Sequence, residues 1–111
     1  MEILFESARS AADYNDEKRL VRLHNKQRAK LIRRRLDELR AAPTLDTMRQ
    51  LPGRCHELKG NLALHLSIDL DGPYRLIFYP AHNPIPTKAD GGMDWTNVTA
   101  ITIKEVTDTH E

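Results

Sequence analysis

A chain of 111 residues, 40% apolar and 30% charged, has room for one domain, since domains run to about 100–150 residues, and for one modest core. No apolar run approaches the ~20 residues that cross a bilayer, and Met1–Arg9 carries two acids before its first base, unlike a secretory signal. The net charge of +1 hides an asymmetry: Lys18–Arg40 holds ten bases against two acids, net +8, leaving seven bases and fourteen acids, net −7, elsewhere, so one face is drawn to an anion or to an acidic partner.

Ile3-Leu4-Phe5 is a short apolar run suited to an edge strand. Asn15-Asp16-Glu17 reads as a helix start, with acids where the helix dipole favours them. From there to Ala42 neither Gly nor Pro occurs, and Leu20, Leu23, Ala29, Ile32, Leu36 and Leu39 form apolar stripes. The stripes fit two helices or one long bent helix, with His24-Asn25 the expected break between two. Arg33, Arg34 and Arg35 cannot all face a core, so most of them project outward. Pro43 ends the helix. Thr44–Leu51 reads as a short helical turn capped by Thr44 and closed by Pro52-Gly53. Cys55, the single cysteine, excludes an internal disulfide, fits a reducing cytoplasm and reads as a small core residue.

Leu62, Leu64, Leu66, Ile68 and Leu70 alternate with Ala63, His65, Ser67 and Asp69, the strongest period-2 signal in the chain. Asp71-Gly72 is a hairpin turn, and Tyr74–Tyr79 is its return strand. Pro80–Trp95, with three prolines and a Gly-Gly pair, reads as a long irregular loop that Trp95 packs down. Val98–Val106 supplies the last strand, and Thr107–Glu111 a polar tail. The predicted order β-α-α-β-β-β implies one α+β domain over residues 1–111. Two N-terminal helices pack on one face of a mostly antiparallel sheet of four or five strands. By parity His65, Ser67 and Asp69 line the other face.

The sequence carries no Cys-x-x-Cys, His-Glu-x-x-His or glycine-rich phosphate loop. A Ser67–His65–Asp69 hydrolase fails, because alternation on one strand does not bring a base onto a nucleophile. Asp108 and His110 with His56 make only a chance-level metal set, so no metal or other cofactor is expected. What remains suits RNA cleavage by the 2′-hydroxyl, which requires a base, an acid and cations around the phosphate. His56, Lys59, Arg75, Asp108 and His110 are the candidates. Each also has a structural reading: His56 as a polar strand residue, Lys59-Gly60 as a strand end, Arg75 as a cross-hairpin partner of Asp69 or Asp71, and Asp108 and His110 as a frayed end. Tyr74, Phe78 and Tyr79 read as core or sheet cover.

At these residues the chain resembles the RelE/ParE toxin superfamily, and most closely its HigB-type, proteic-killer branch. Leu51-Pro-Gly-Arg-Cys-His56-Glu-Leu-Lys59-Gly-Asn61 is similar to that branch's "LPG…LHxLKGD", Leu66–Phe78 to its "WSIRxNxxWRIxF", and Glu105–His110 to its "EIxDYH". The resemblance implies the toxin of a type II toxin-antitoxin system, a RelE-like fold, and a ribosome-dependent endoribonuclease that cuts mRNA in the decoding site. It also implies a helix-turn-helix antitoxin as partner. Carried over by motif, His56, Lys59, Arg75, Asp108 and His110 fall at active-site positions, with Arg75 stabilising the phosphate. Arg28, Lys30, Arg33, Arg34 and Arg35 are the expected RNA contacts. Two departures stand out: Thr109 occupies the place of a base-stacking tyrosine, and the loop Pro80–Asn97 is longer than the family's turn. The alternatives are a ParE-like gyrase inhibitor, and a relic that only binds a partner.

Overall fold

The computed structural model describes residues 1–108. Strand β1 (Glu2–Phe5) precedes helices α1 (Ala8–Tyr14), α2 (Glu17–Leu23) and α3 (Lys26–Ala41). Strands β2 (His56–Glu57), β3 (Leu66–Asp69), β4 (Tyr74–Pro80) and β5 (Ala100–Asp108) follow, with single 3-10 turns at Leu45–Gln50, Gly60–Leu62 and Trp95–Asn97. The sheet has five strands in the order β1-β5-β4-β3-β2. β1 runs parallel to β5, and every other pairing is antiparallel. This is the α+β arrangement expected, with β1 at the predicted edge.

The helix break falls at His24-Asn25, because each helix start is fixed by a side chain. Asp16 accepts from the amides of Lys18 and Arg19, and Asn25 from that of Arg28, satisfying donors that the first turn leaves open. Thr44 sits at the predicted cap position, but its side chain makes no capping bond; the amide of Leu45 donates to Val98 O instead. α1 is an additional helix, making three where two are expected. It buries none of its residues, so it leaves no apolar stripe in the sequence. Its Tyr14 stacks on Phe5 of β1, with ring centroids 5.7 Å apart.

One face of α3 (Ala29, Ile32, Leu36, Leu39), together with Leu20 of α2, is buried on Leu66 and Ile68 of β3, Leu76 and Phe78 of β4, and Ile101 and Ile103 of β5. Each such side chain contributes about 1.5–3 kcal/mol by leaving water. Leu45, Met48, Met93, Trp95 and Val98 close one end of this core. Trp95 donates its indole N–H to Glu57 at 3.0 Å and carries the Arg49 guanidinium on its ring. The predicted long loop is thereby held down, as expected of Trp95. The Met1 ammonium donates to the carbonyls of Leu39, Arg40 and Ala42, a cation on the negative end of α3.

The predicted strand over Leu62–Leu70 is shorter than its alternation suggests. Leu62 lies in a 3-10 turn, and Leu64 is in the left-handed region (φ 68°) and 54% exposed. Those two leucines belong to the reversal that lets β2 fold back antiparallel on β3, and only Leu66–Asp69 pairs as strand.

Candidate active site on the sheet face away from the helices

The helices cover one face of the sheet, and strand register maps the other. Asp69, Arg75 and Thr107 are in line across β3, β4 and β5; Ser67, Ile77 and Glu105 form the next row, with His56 opposite Ser67 on β2. The third row holds Tyr79 and Thr102, with His65 touching the Tyr79 ring edge-on at 5.1 Å. Successive rows are about 7 Å apart, two residues along a strand. The parity expected of His65, Ser67 and Asp69 is therefore the one observed. A bulge between Ile77 and Phe78, where Lys104 is the extra residue of β5, preserves the pattern on both faces.

Asp69 is the junction of the site. Its carboxylate takes a two-pronged bond from Arg54 (Nε 2.9 Å, Nη2 3.2 Å) and lies 2.9 Å from Arg75 Nε. Its backbone is held equally firmly. The Asp69 amide donates to Gly53 O at 2.8 Å, and its carbonyl accepts from Arg35 Nε at 3.1 Å. Arg75 Nη1 donates to the carbonyls of Gly72 and Tyr74, both at 2.9 Å, which fixes the guanidinium beside the hairpin turn. The cross-hairpin pairing of Arg75 with Asp69 is thus present.

His56 Nδ1 lies 2.6 Å from Arg54 O. A carbonyl can only accept, so Nδ1 carries the proton, and in the neutral ring Nε2 carries the lone pair. Burial alone would raise the Asp69 carboxyl. The Arg54 hydrogen bond, with the charges of Arg75, Arg54 and His56, outweighs it and holds the group below the ordinary aspartate range. At the hairpin, a two-pronged bond from Arg28 (2.9 and 3.1 Å) likewise lowers Asp71, against a smaller opposing effect of burial. A carboxyl depressed in the folded state lends stability above its unfolded pKa and loses it as pH falls through the folded value. The melting temperature is therefore expected to drop as pH falls below about 4. The drop should be smaller in Asp69→Asn and Asp71→Asn, as thermal unfolding between pH 7 and 3 would reveal; equal slopes in all three proteins would contradict these assignments.

Of the residues named from sequence, the fold brings His56 and Arg75 onto this face, one row apart. Lys59 is exposed and lies past the end of β2, on the His65 side, away from Arg75. Asp108 pairs with Tyr74, one residue beyond the Arg75–Thr107 pair, at the end of β5. His110, with Thr109, lies outside the described residues.

The basic helix set divides. Lys30, Arg33 and Arg34 are exposed, with Arg33 paired to Glu17 at 3.0 Å. Arg28 is engaged by Asp71 and stacks on Tyr74, 3.5 Å from the ring centroid. Arg35, expected among the RNA contacts, is only 8% exposed, and its guanidinium bonds Glu38 and the Asp69 carbonyl; it braces the β3 end from within. The exposed helix cations lie on the far side of the sheet from His56. Cys55 packs against the core, and burial pushes its thiol up to about 12 despite the opposing charge of Arg49, so it is not a nucleophile at neutral pH.

Arg54 was not legible as a site residue. It adopts φ 51° immediately after Gly53, whose φ is 111°, and only this turn aims it at Asp69. The parity of Asp69 was the one available signal. Ser67 Oγ, opposite His56, is buried without a hydrogen-bond partner among the described residues. Among those residues no group of three histidine, cysteine or carboxylate side chains is placed to hold a metal ion, and no helix is long and apolar enough to cross a membrane.

An α+β domain with N-terminal helices packed on one face of a mostly antiparallel five-stranded sheet has the architecture of the RelE-like toxins. Residues 6–87 match the family described as RelE-like toxin of type II toxin-antitoxin system HigB, and the chain belongs to that family. Among solved structures it is similar to a YoeB/ParE toxin from Agrobacterium tumefaciens, at 12% identity over 99% of this chain and 100% of that one, with a TM-score of 0.59. It is also similar to a YoeB-YefM complex from Staphylococcus aureus, at 20% identity over 100% and 98% of the two chains, with a TM-score of 0.56. These likenesses extend the fold over the whole chain. No curated protein matches it.

Proposed function

We propose that this toxin is a ribosome-dependent mRNA endoribonuclease that inhibits translation in the cytoplasm, works by 2′-hydroxyl attack without a metal, and is restrained by a helix-turn-helix antitoxin. The observation that carries the reading is the placement of His56 beside the Arg54–Asp69–Arg75 cluster on the sheet face turned away from the helices. His56, anchored through Nδ1 to Arg54 O, takes the 2′ proton on Nε2. The 2′-oxygen attacks phosphorus, the bond to the 5′-oxygen breaks, and a 2′,3′-cyclic phosphate is left. Arg75 holds the charge that builds on the phosphate oxygens. Protonation of the departing 5′-oxygen falls to Asp108 or His110, the pair to which the resemblance gives active-site positions, and Lys59 adds positive charge beyond the end of β2. Lys30, Arg33 and Arg34, on the opposite side of the domain, are the cations available to ribosomal RNA.

The test is induction of the chain alone, beside a His56→Ala, Arg75→Ala double variant, with growth and transcript integrity as readouts. Growth arrest with cut transcripts, both lost in the double variant, is the expected result. Arrest with intact transcripts would move the assignment to a gyrase-type toxin, and no arrest at all to a partner-binding relic.

A further inference from the structure

We infer that the groove between α2 and α3 is a docking site for an acidic, amphipathic helix of a partner protein, which seats an aliphatic side chain on Val21 and pairs its acids with Lys26 and Lys30. In the proposed function that helix belongs to the antitoxin, and for this assignment alone the inference rests on that reading.

The groove has a volume of about 210 Å³ and is lined by Glu17 and Val21 of α2 with Lys26, Ala29, Lys30 and Arg33 of α3. A cavity of about 150 Å³ takes a benzene ring, so a leucine-sized side chain has room here. Ala29 is 1% exposed and forms the base. Val21 is 37% exposed, although its neighbour Leu20 is in the core. An apolar side chain is thus left in water between cations, where a partner residue can cover it.

The charges select the partner. Three bases and one acid line the groove. The acid, Glu17, is engaged by Arg33 at 3.0 Å across the two helices, which leaves Lys26 and Lys30. Both are exposed, and among the described residues neither has an ion pair. They stand four residues apart on one helix, a spacing at which like charges repel, and the first turn of α3 holds no acid to offset Lys26. Neither placement favours the helix by itself. Two acids at the same spacing on a facing helix offset both, and an amphipathic helix lays its apolar anchor into a groove in this way. RNA phosphates would meet the lysines as well, but a phosphate contact gains nothing from an apolar residue set between the cations. Val21 and the Ala29 floor therefore favour the protein helix. RNA and that helix compete for Lys30 and Arg33, so an occupied groove masks the helix cations from the side of the domain opposite His56.

The experiment is fluorescence anisotropy of the full chain with a labelled helical peptide of about 15 residues that carries two glutamates one turn apart around a leucine. A peptide of the same composition, with those residues spread round the helix, is the comparison, and a single-stranded RNA oligonucleotide is the competitor. The patterned peptide should bind about tenfold more tightly than the permuted one, and RNA should displace it. Val21→Ser should weaken it about tenfold, the loss of one buried aliphatic contact. Lys26→Glu with Lys30→Glu should weaken it by more than about tenfold. Arg40→Ala, at the far end of α3, should change it by less than about twofold. A melt of each variant checks that it is folded. Failure of the patterned peptide to bind, equal binding of the two peptides, or binding that Val21→Ser leaves unchanged would overturn the inference and make the groove a surface for RNA or for any polyanion. Growth arrest on induction tests the toxin reading separately: a chain that binds the patterned peptide without arresting growth keeps the groove and loses the antitoxin as its occupant.

Discussion

Replacing Arg75 with alanine is expected to lower mRNA cleavage about 10³-fold while leaving the domain folded. The guanidinium is bound to the Gly72 and Tyr74 carbonyls through Nη1 and lies 2.9 Å from the Asp69 carboxylate through Nε. The first two belong to the hairpin turn, so their loss costs about 1–2 kcal/mol, which a domain of ordinary stability, about 5–15 kcal/mol, withstands. The loss of cleavage is expected to be larger, because no other residue of β4 on this face carries a guanidinium. Ile77 is apolar and Tyr79 is about 13 Å along the strand from Arg75. Arg75→Lys should recover only part of the rate, since an ammonium cannot span two oxygens while also holding two carbonyls. Cleavage on programmed ribosomes, set beside a thermal melt, separates the two effects. A variant that still cuts at more than a tenth of the wild-type rate would remove Arg75 from the chemistry.

What the sequence shows of this protein, and what it hides, divides along the range of the interactions. The break at His24-Asn25 is legible because it is made locally, by the Asp16 and Asn25 caps. The face carrying His65, Ser67 and Asp69 is legible because strand parity is a property of the strand itself. α1 is hidden because it buries nothing and so imposes no period. The overlong strand fails for the opposite reason: Leu62 and Leu64 keep the right period by composition, while the chain must reverse there to pair β2 with β3. Arg54 and Arg35 are hidden together. One reads as a loop residue and the other as one of three consecutive solvated arginines, and each takes its role only when α3 and β3 enclose Gly53 between them.

The same geometry separates two jobs that the charge asymmetry had merged. Ten bases in Lys18–Arg40 suggest one nucleic-acid surface, but the sheet lies between the exposed helix cations and His56. A ligand on the helices and a ligand at His56 therefore occupy different sides of the domain. On the proposed function, an antitoxin that neutralised Lys30, Arg33 and Arg34 would block docking without touching the proposed site, whereas one laid across β2 and β3 would block cleavage directly. Substitution of the three helix cations separates these cases by whether it weakens ribosome binding or antitoxin binding.

Gly53→Ala is expected to be the most damaging single methyl in the chain. Its added Cβ would meet Ile68 Cγ2 at 2.8 Å and Arg35 at 3.1 and 3.3 Å, at a φ of 111°. Backbone strain of about 1–3 kcal/mol and crowding of about 1–3 kcal/mol together suggest a loss of about 2–6 kcal/mol. In a domain of this size that corresponds to a fall of roughly 10–30 °C in melting temperature. Gly72→Ala supplies the control. It too has positive φ, 54°, but nothing lies within 4 Å of its new Cβ, so it should cost about 1 kcal/mol. Equal melting temperatures for the two variants would show that Gly53 is chosen for its φ alone. A large gap would show that close packing under α3 sets the turn. Because Ile68 cannot move without shifting Asp69, the Gly53→Ala protein should also cut mRNA more slowly at a temperature where it is still folded, tying the stability of the core to the geometry of the proposed site.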